Sequence, residues 1–156
     1  MKRLQKGFTL IELLVVIGII AILATIVLVA VNPGRNFATA RNTQRQSDLY
    51  SLTNAIYQFS VEHNGNYPEM ANGTAISNDP DAPSIVGTGN FNLAAAGEVE
   101  AGVVRDTIVP TYIAAIPVDP STGDAANTGY RIFVDSNGRL VASASGELDA
   151  EITVIR

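Results

Sequence analysis

The stretch Lys6-Gly7-Phe8-Thr9-Leu10-Ile11-Glu12-Leu13, followed by residues without another charge as far as Val31, decides how this chain is built. Residues 8–31 are almost wholly apolar, and at a rise of about 1.5 Å per residue they make roughly 36 Å of helix, enough to cross a hydrocarbon core of about 30 Å. Glu12 is the single formal charge in that run. An ionised carboxylate at the centre of a bilayer costs on the order of 2.5 kcal/mol or more, so an intramembrane Glu calls for a partner. A cut after Gly7 would supply one, because the new α-amino group of Phe8 would stand one helical turn from Glu12 or meet the Glu12 of a neighbouring copy.

Three readings of this segment compete. A secretory signal has an apolar region of only about 7–15 residues and then a small-residue cleavage site, which is shorter than this run. A simple membrane anchor fits the length but leaves Glu12 without a purpose. An anchor that assembles with copies of itself accounts for both. In the last two readings Lys2, Arg3 and Lys6 hold the N-terminus in the cytoplasm by the positive-inside rule, so everything after Val31 faces outward.

Composition sets further bounds. With 156 residues, about 30 of them leader and anchor, there is room for one small soluble domain. The net charge of −5 becomes −8 once the three cations Lys2, Arg3 and Lys6 are lost, and such an acidic head does not attract a phosphate backbone. Arg35, Arg41 and Arg45 are the one basic cluster beyond the leader. They suit anionic headgroups or acidic residues of neighbouring copies, and without lysines or an aromatic platform they make a poor nucleic-acid site. There is no cysteine, and beyond Lys6 there is no lysine and one histidine, His63. Cys-His and Ser-Lys catalysis are thereby excluded, a His-rich metal site cannot form, and the chain is expected not to be an enzyme. His63 follows Glu62 where a helix stops, and its ordinary explanation is a cation near a helix C-terminus.

After the apolar run, Asn32-Pro33-Gly34 is expected to break or loosen the helix. Helical patterning then resumes: Phe37, Ala40, Leu49, Leu52, Ile56 and Phe59 form an apolar stripe along a helix from about Asn36 to His63. Asn64-Gly65-Asn66-Tyr67-Pro68 ends it. Residues 69–102 are rich in Ala, Gly, Asn, Asp and Pro and read as an irregular surface connection, with a short helical turn near Leu93 to Ala96. Val103 to Ala115 forms a short helix or an extended piece. Tyr130 to Val134 and Leu140 to Ala144, flanking Asn137-Gly138, read as a hairpin with a type I′ turn, and Ile152 to Val154 as a last strand. The fold class that follows is α+β: a long N-terminal helix, transmembrane in its first half and amphipathic in its second, packed on a small antiparallel β-sheet. The organisation is leader 1–7, membrane helix 8–31, amphipathic half 32–68 and head 69–156.

Lys6-Gly7 followed by Phe8-Thr9-Leu10-Ile11-Glu12-Leu13 resembles the cleavage and assembly motif of the type IV pilin family, which includes the pseudopilins of type II secretion. Gly65-Asn66-Tyr67-Pro68 is similar to the helix end of that family, and Pro117-Val118-Asp119-Pro120 to the segment before the pseudopilin sheet. The resemblance implies cleavage between Gly7 and Phe8 by a prepilin peptidase, N-methylation of Phe8, and pairing of Glu12 with a neighbour's N-terminal amine during assembly. It also implies a precursor in the cytoplasmic membrane and a periplasmic or extracellular homopolymer built by a pilus or type II secretion platform, with no direct contact to nucleic acid. A non-polymerising anchored binding module is the rival from another class. The absence of cysteine departs from pilins whose C-terminal loop is closed by a disulfide. Asp119, Ser121, Thr122, Asp124 and Asn127 make an oxygen-rich loop similar to one that carries calcium in some major pseudopilins. Asp119 and Asp124 are its candidate ligands, although turn chemistry selects the same residue types and the spacing is not that of an EF-hand.

Overall fold

The computed structural model describes residues 7–156, so Lys2, Arg3, Lys6 and the rest of the expected leader before Gly7 lie outside the described residues. The chain forms two compact units, one ending at Phe37 and the other spanning Ala38–Arg156.

The first unit contains helix α1, Leu10–Val31, whose 22 residues are all exposed. Its mean hydropathy reaches 3.3, and by length and composition it can cross a membrane. Leu, Ile and Val side chains left 50% or more open along the whole helix form a far larger apolar surface than a soluble monomer presents. Thr25 satisfies its hydroxyl by donating to the Ala21 carbonyl at 2.9 Å, which lets it lie in hydrocarbon. The helix ends on Asn32, which adopts the left-handed conformation at φ 44°. Helix α2, Pro33–Glu62, begins one residue later. Asn32 itself carries the break, and Pro33 occupies the first position of the next helix, where a missing N–H is harmless. Asn32 then caps α2 by accepting from Arg35 N at 3.3 Å.

In the second unit, Leu49, Leu52, Ala55, Ile56 and Phe59 of α2 are buried in one apolar cluster with strand residues. The expected stripe holds from Leu49 onward. Upstream, Phe37 is 64% exposed and Ala40 is open, while Ala38 and Arg45 are the buried positions. The sheet against the stripe has four strands in the order β2-β5-β6-β7: β2 Ser84–Ile85, β5 Tyr130–Val134, β6 Leu140–Ser145 and β7 Glu151–Ile155. Tyr130, Ile132 and Val134 alternate inward on β5, opposite Ala144, Ala142 and Leu140 of β6. That is the period-two pattern of a sheet with one buried face.

The β5–β6 hairpin differs from expectation in its turn. Its closing pair is Asp135 and Arg139, with Asp135 N donating to Arg139 O at 2.9 Å and Gly138 N to Asp135 O at 2.9 Å. Gly138 alone has positive φ, 77°, whereas a type I′ turn would need it at Asn137 too. The Asp135 carboxylate selects this wider turn by accepting from Asn137 N and Arg139 N, at 2.9 and 2.8 Å.

Residues 69–102 are also more structured than their composition suggests. Ile76, Val86, Phe91, Leu93 and Ala96 enter the core. A second antiparallel sheet, in the order β1-β3-β4, is made of β1 Glu69–Met70, β3 Ala96–Glu100 and β4 Val103–Arg105. The helical turn expected at Leu93–Ala96 is instead a turn feeding β3. A short helical turn, α3, falls at Ile108–Thr111.

Candidate functional site

The expected processing site begins at Gly7, the first described residue. A Cβ added there meets nothing within 4 Å, and Phe8 is 85% exposed. Among the described residues, nothing packs over the Gly7–Phe8 bond.

Four residues on, Glu12 already has a local partner. Thr9 is the N-cap of α1. Its backbone N–H and its hydroxyl both donate to Glu12 Oε2, at 2.8 and 2.7 Å, and Glu12 N donates back to Thr9 Oγ1 at 3.3 Å. This reciprocal capping box satisfies donors that a helix start would otherwise strand in lipid. It also holds the carboxylate at the positive end of the helix dipole. The arrangement gives Glu12 neutral donors, and no cation pairs with it among the described residues. Thr-x-x-Glu is a recognised start signal, so the capping box was legible in residues 9–12.

The oxygen-rich loop has a different centre from the one expected. Arg45 is 2% exposed and Asp119 is 6% exposed. Arg45 Nε donates to Asp119 Oδ2 at 2.5 Å and Nη2 to Oδ1 at 3.1 Å, a bidentate pair. Oδ1 also accepts from the backbone N–H groups of Ser121 and Thr122, both at 2.9 Å. Burial alone would push the Asp119 carboxyl up. The guanidinium and the two N–H groups outweigh it and hold the group far below the usual carboxylate range. Glu147 extends the network by accepting from Arg41 Nε at 2.6 Å and from Arg45 Nη1 at 3.0 Å. The Arg41 guanidinium, followed by that of Arg45, brings Glu147 down to about 2.

One expectation changes accordingly. Arg41 and Arg45 are internal ion-pair partners, and Arg45 is a core residue seven positions after Ala38 and four before Leu49, on the buried face of α2. As for a calcium ion, Asp119 and Asp124 do line one cavity of about 320 Å³, with Thr122, Asn127 and Arg131. Their oxygens nonetheless point to donors already in place. Asp119 has Arg45 as its cation, and Asp124 Oδ1 accepts from Ala126 N and Asn127 N at 2.8 and 2.7 Å, folding its own turn. As arranged here, the donor set fits a neutralised turn better than an oxygen cage for a hard cation.

An exposed apolar helix with a capped carboxylate at its start, in a chain that also folds a small α+β head, is a pilin-like arrangement. Residues 2–28 match the family described as the prokaryotic N-terminal methylation motif. Type II secretion system core protein G of Aeromonas hydrophila is 40% identical over 82 residues, covering 52% of this chain and 55% of that protein. Type IV major pilin protein PilE1 of Neisseria gonorrhoeae is 35% identical over 115 residues, covering 72% of this chain and 63% of that protein. Type II secretion system core protein G of Escherichia coli strain K12 is 31% identical over 150 residues, 94% of this chain and 87% of that protein. Thus the chain spans 55% and 63% of the first two relatives and most of the third. No solved structure matches. The chain belongs to the type IV pilin and type II secretion pseudopilin family, whose members are structural, and its apolar helix and prepilin motif fit a membrane-anchored precursor.

Proposed function

We propose that this chain is a filament subunit, stored in the cytoplasmic membrane with its N-terminus inside. In this reading a prepilin peptidase cleaves it between Gly7 and Phe8, Phe8 is N-methylated, and the cleaved chain is drawn into a homopolymer by an assembly platform. The observation that carries the reading is α1 itself: 22 residues, apolar but for Glu12 and Thr25, none buried within the chain, with the one carboxylate capped in the first turn. In a filament, copies of this helix would cover one another, and dispersion and close packing would replace contact with lipid. Glu12 would then exchange its Thr9 donors for the positive amine of a neighbour's Phe8, a charge-assisted contact in a low-dielectric core. Catalysis is done to this chain rather than by it.

Glu12→Gln separates the two roles, since Gln still completes a capping box but carries no charge. The variant is expected to be cleaved normally and to form few filaments. Normal filament yield from it would contradict the reading.

Coverage favours a pseudopilin of type II secretion over a surface pilus, because core protein G of E. coli aligns along 94% of the chain while PilE1 aligns along 72%. Loss of protein export without loss of surface pili on deleting the chain would support that choice. Calcium at Asp119 and Asp124 is a separate proposal, and the weaker one on this geometry. A melting temperature that falls on adding a chelator would support it, and an unchanged melt would remove it.

A further inference from the structure

In the second unit, His63, Glu98 and Asp106 converge on one point. His63 lies just past the end of α2, Glu98 on β3 and Asp106 directly after β4. The His63 side chain is 11% exposed. Its ring stacks on Phe59 at 4.0 Å between centroids and 13° between planes. Its Nδ1 stands 2.8 Å from the Phe59 carbonyl oxygen. A carbonyl only accepts, so Nδ1 carries the proton, and in the neutral ring the lone pair sits on Nε2. Orientation of an imidazole by an Nδ1–H to carbonyl bond, with Nε2 presented outward, is the support that metal-binding histidines receive.

Nε2 faces two carboxylates. It lies 3.7 Å from Glu98 Oε2 and 3.7 Å from Asp106 Oδ2, and the three atoms all fall within 4.8 Å of one another. Those separations are too long for hydrogen bonds. With metal bonds of about 2.0–2.2 Å, tetrahedral ligand atoms sit about 3.3–3.6 Å apart, so Nε2 and each carboxylate need close by only a few tenths of an ångström, while the two carboxylates turn toward each other from within 4.8 Å. The carboxylate ends have room to move, with Glu98 53% and Asp106 59% exposed. The neighbouring cation is committed elsewhere, since Arg105 Nη1 pairs with Glu100 at 3.1 Å. Asp106 is held at φ 47°, in the left-handed region that a non-glycine residue rarely adopts. His63 and Glu98 also line a solvent-open cavity of about 460 Å³, which gives an ion a way in and water a place as fourth ligand.

We propose that His63 Nε2, Glu98 and Asp106 bind a divalent transition-metal ion of the zinc class, tying the end of α2 to the β3–β4 hairpin. Imidazole with two carboxylates suits zinc and its neighbours in the series better than magnesium or calcium. The site is distinct from the Asp119 loop and does not depend on how the chain assembles.

The test uses the detergent-solubilised full chain, stripped with chelator and titrated with Zn²⁺ alone by calorimetry near neutral pH, with Co²⁺ absorption as a second readout. One saturable equivalent is expected, together with the visible bands of low-coordinate cobalt. Glu98→Gln and Asp106→Asn should each weaken binding by about tenfold or more, and His63→Gln should weaken it further. Glu151→Gln, which removes an exposed carboxylate elsewhere, should leave it unchanged. Circular dichroism establishes that each variant is folded; because Glu98 and Asp106 are exposed, their variants keep the test decisive even if His63→Gln unfolds. No saturable Zn²⁺ binding, or binding unaffected by the two carboxamide variants, would overturn the proposal and leave the cluster as an imidazole beside two solvated carboxylates.

Discussion

The Arg45–Asp119 pair gives a quantitative test of how the head is held together. Replacing Asp119 with Asn keeps the side-chain shape but removes the charge opposite a guanidinium whose side chain is 2% exposed. Uncompensated burial of one member of such a pair costs about 3–5 kcal/mol. Among the described residues Glu147 is the other carboxylate bonded to Arg45, and it is 30% exposed and shared with Arg41, so it recovers only part of that loss. Against a typical stability of about 5–15 kcal/mol, that is a large share of the margin that keeps the head folded. For a head of this size the shift in melting temperature is on the order of 10–20 °C. The assay is thermal or urea unfolding of the full chain in detergent, followed by tyrosine near-UV circular dichroism. Arg45→Met and the double variant complete a cycle. The double variant should recover much of the loss, because it removes both charges together. A melt of Asp119→Asn within about 1 kcal/mol of the parent would refute the claim that this buried pair organises the loop.

Acid should act through the same network. Asp119 and Glu147 both titrate lower in the folded chain than in the free one, so their contribution is complete above about pH 5 and is lost as pH falls toward 2, the folded value for Glu147. An unfolding series across that window should show stability falling with pH, with a shallower slope in Glu147→Gln. Leu52→Ala, at a fully buried position on α2, should cost about 2–5 kcal/mol in the same unfolding assay. Thr9→Val keeps the bulk of the N-cap but removes its hydroxyl; it should weaken the start of α1 by about 0.5–2 kcal/mol, read as faster exchange of the Glu12 amide, which loses its acceptor.

What was legible in the sequence follows from the range of the interactions. Helix α1 and the stripe from Leu49 to Phe59 are set by local periodicity, and the β5–β6 hairpin by alternation around Asn137-Gly138, so each could be read from a window of residues. The turn type could not, because the deciding acceptor is the Asp135 side chain outside the Asn-Gly pair. Strands β1, β2 and β4 are only two or three residues long. They form because Val86, Phe91 and Leu93 reach the core from a stretch whose composition resembles a loop. Arg45 and Asp119 are 74 residues apart. No local pattern joins them, although an arginine on the apolar face of an amphipathic helix implies a buried acid somewhere in the fold. The capping box is the opposite case: it lies wholly within residues 9–12, and the unusual cost of a carboxylate in lipid draws attention to partners in other copies before the threonine three positions back.

The most direct measurement is the N-terminal residue and mass of this chain recovered from the cell envelope of its host, with crosslinking to show whether its copies are assembled. The chain should start at Phe8, carry one added methyl group and be found with many copies of itself. A chain still beginning at Met1, unmethylated and never recovered in a polymer, would contradict the filament reading.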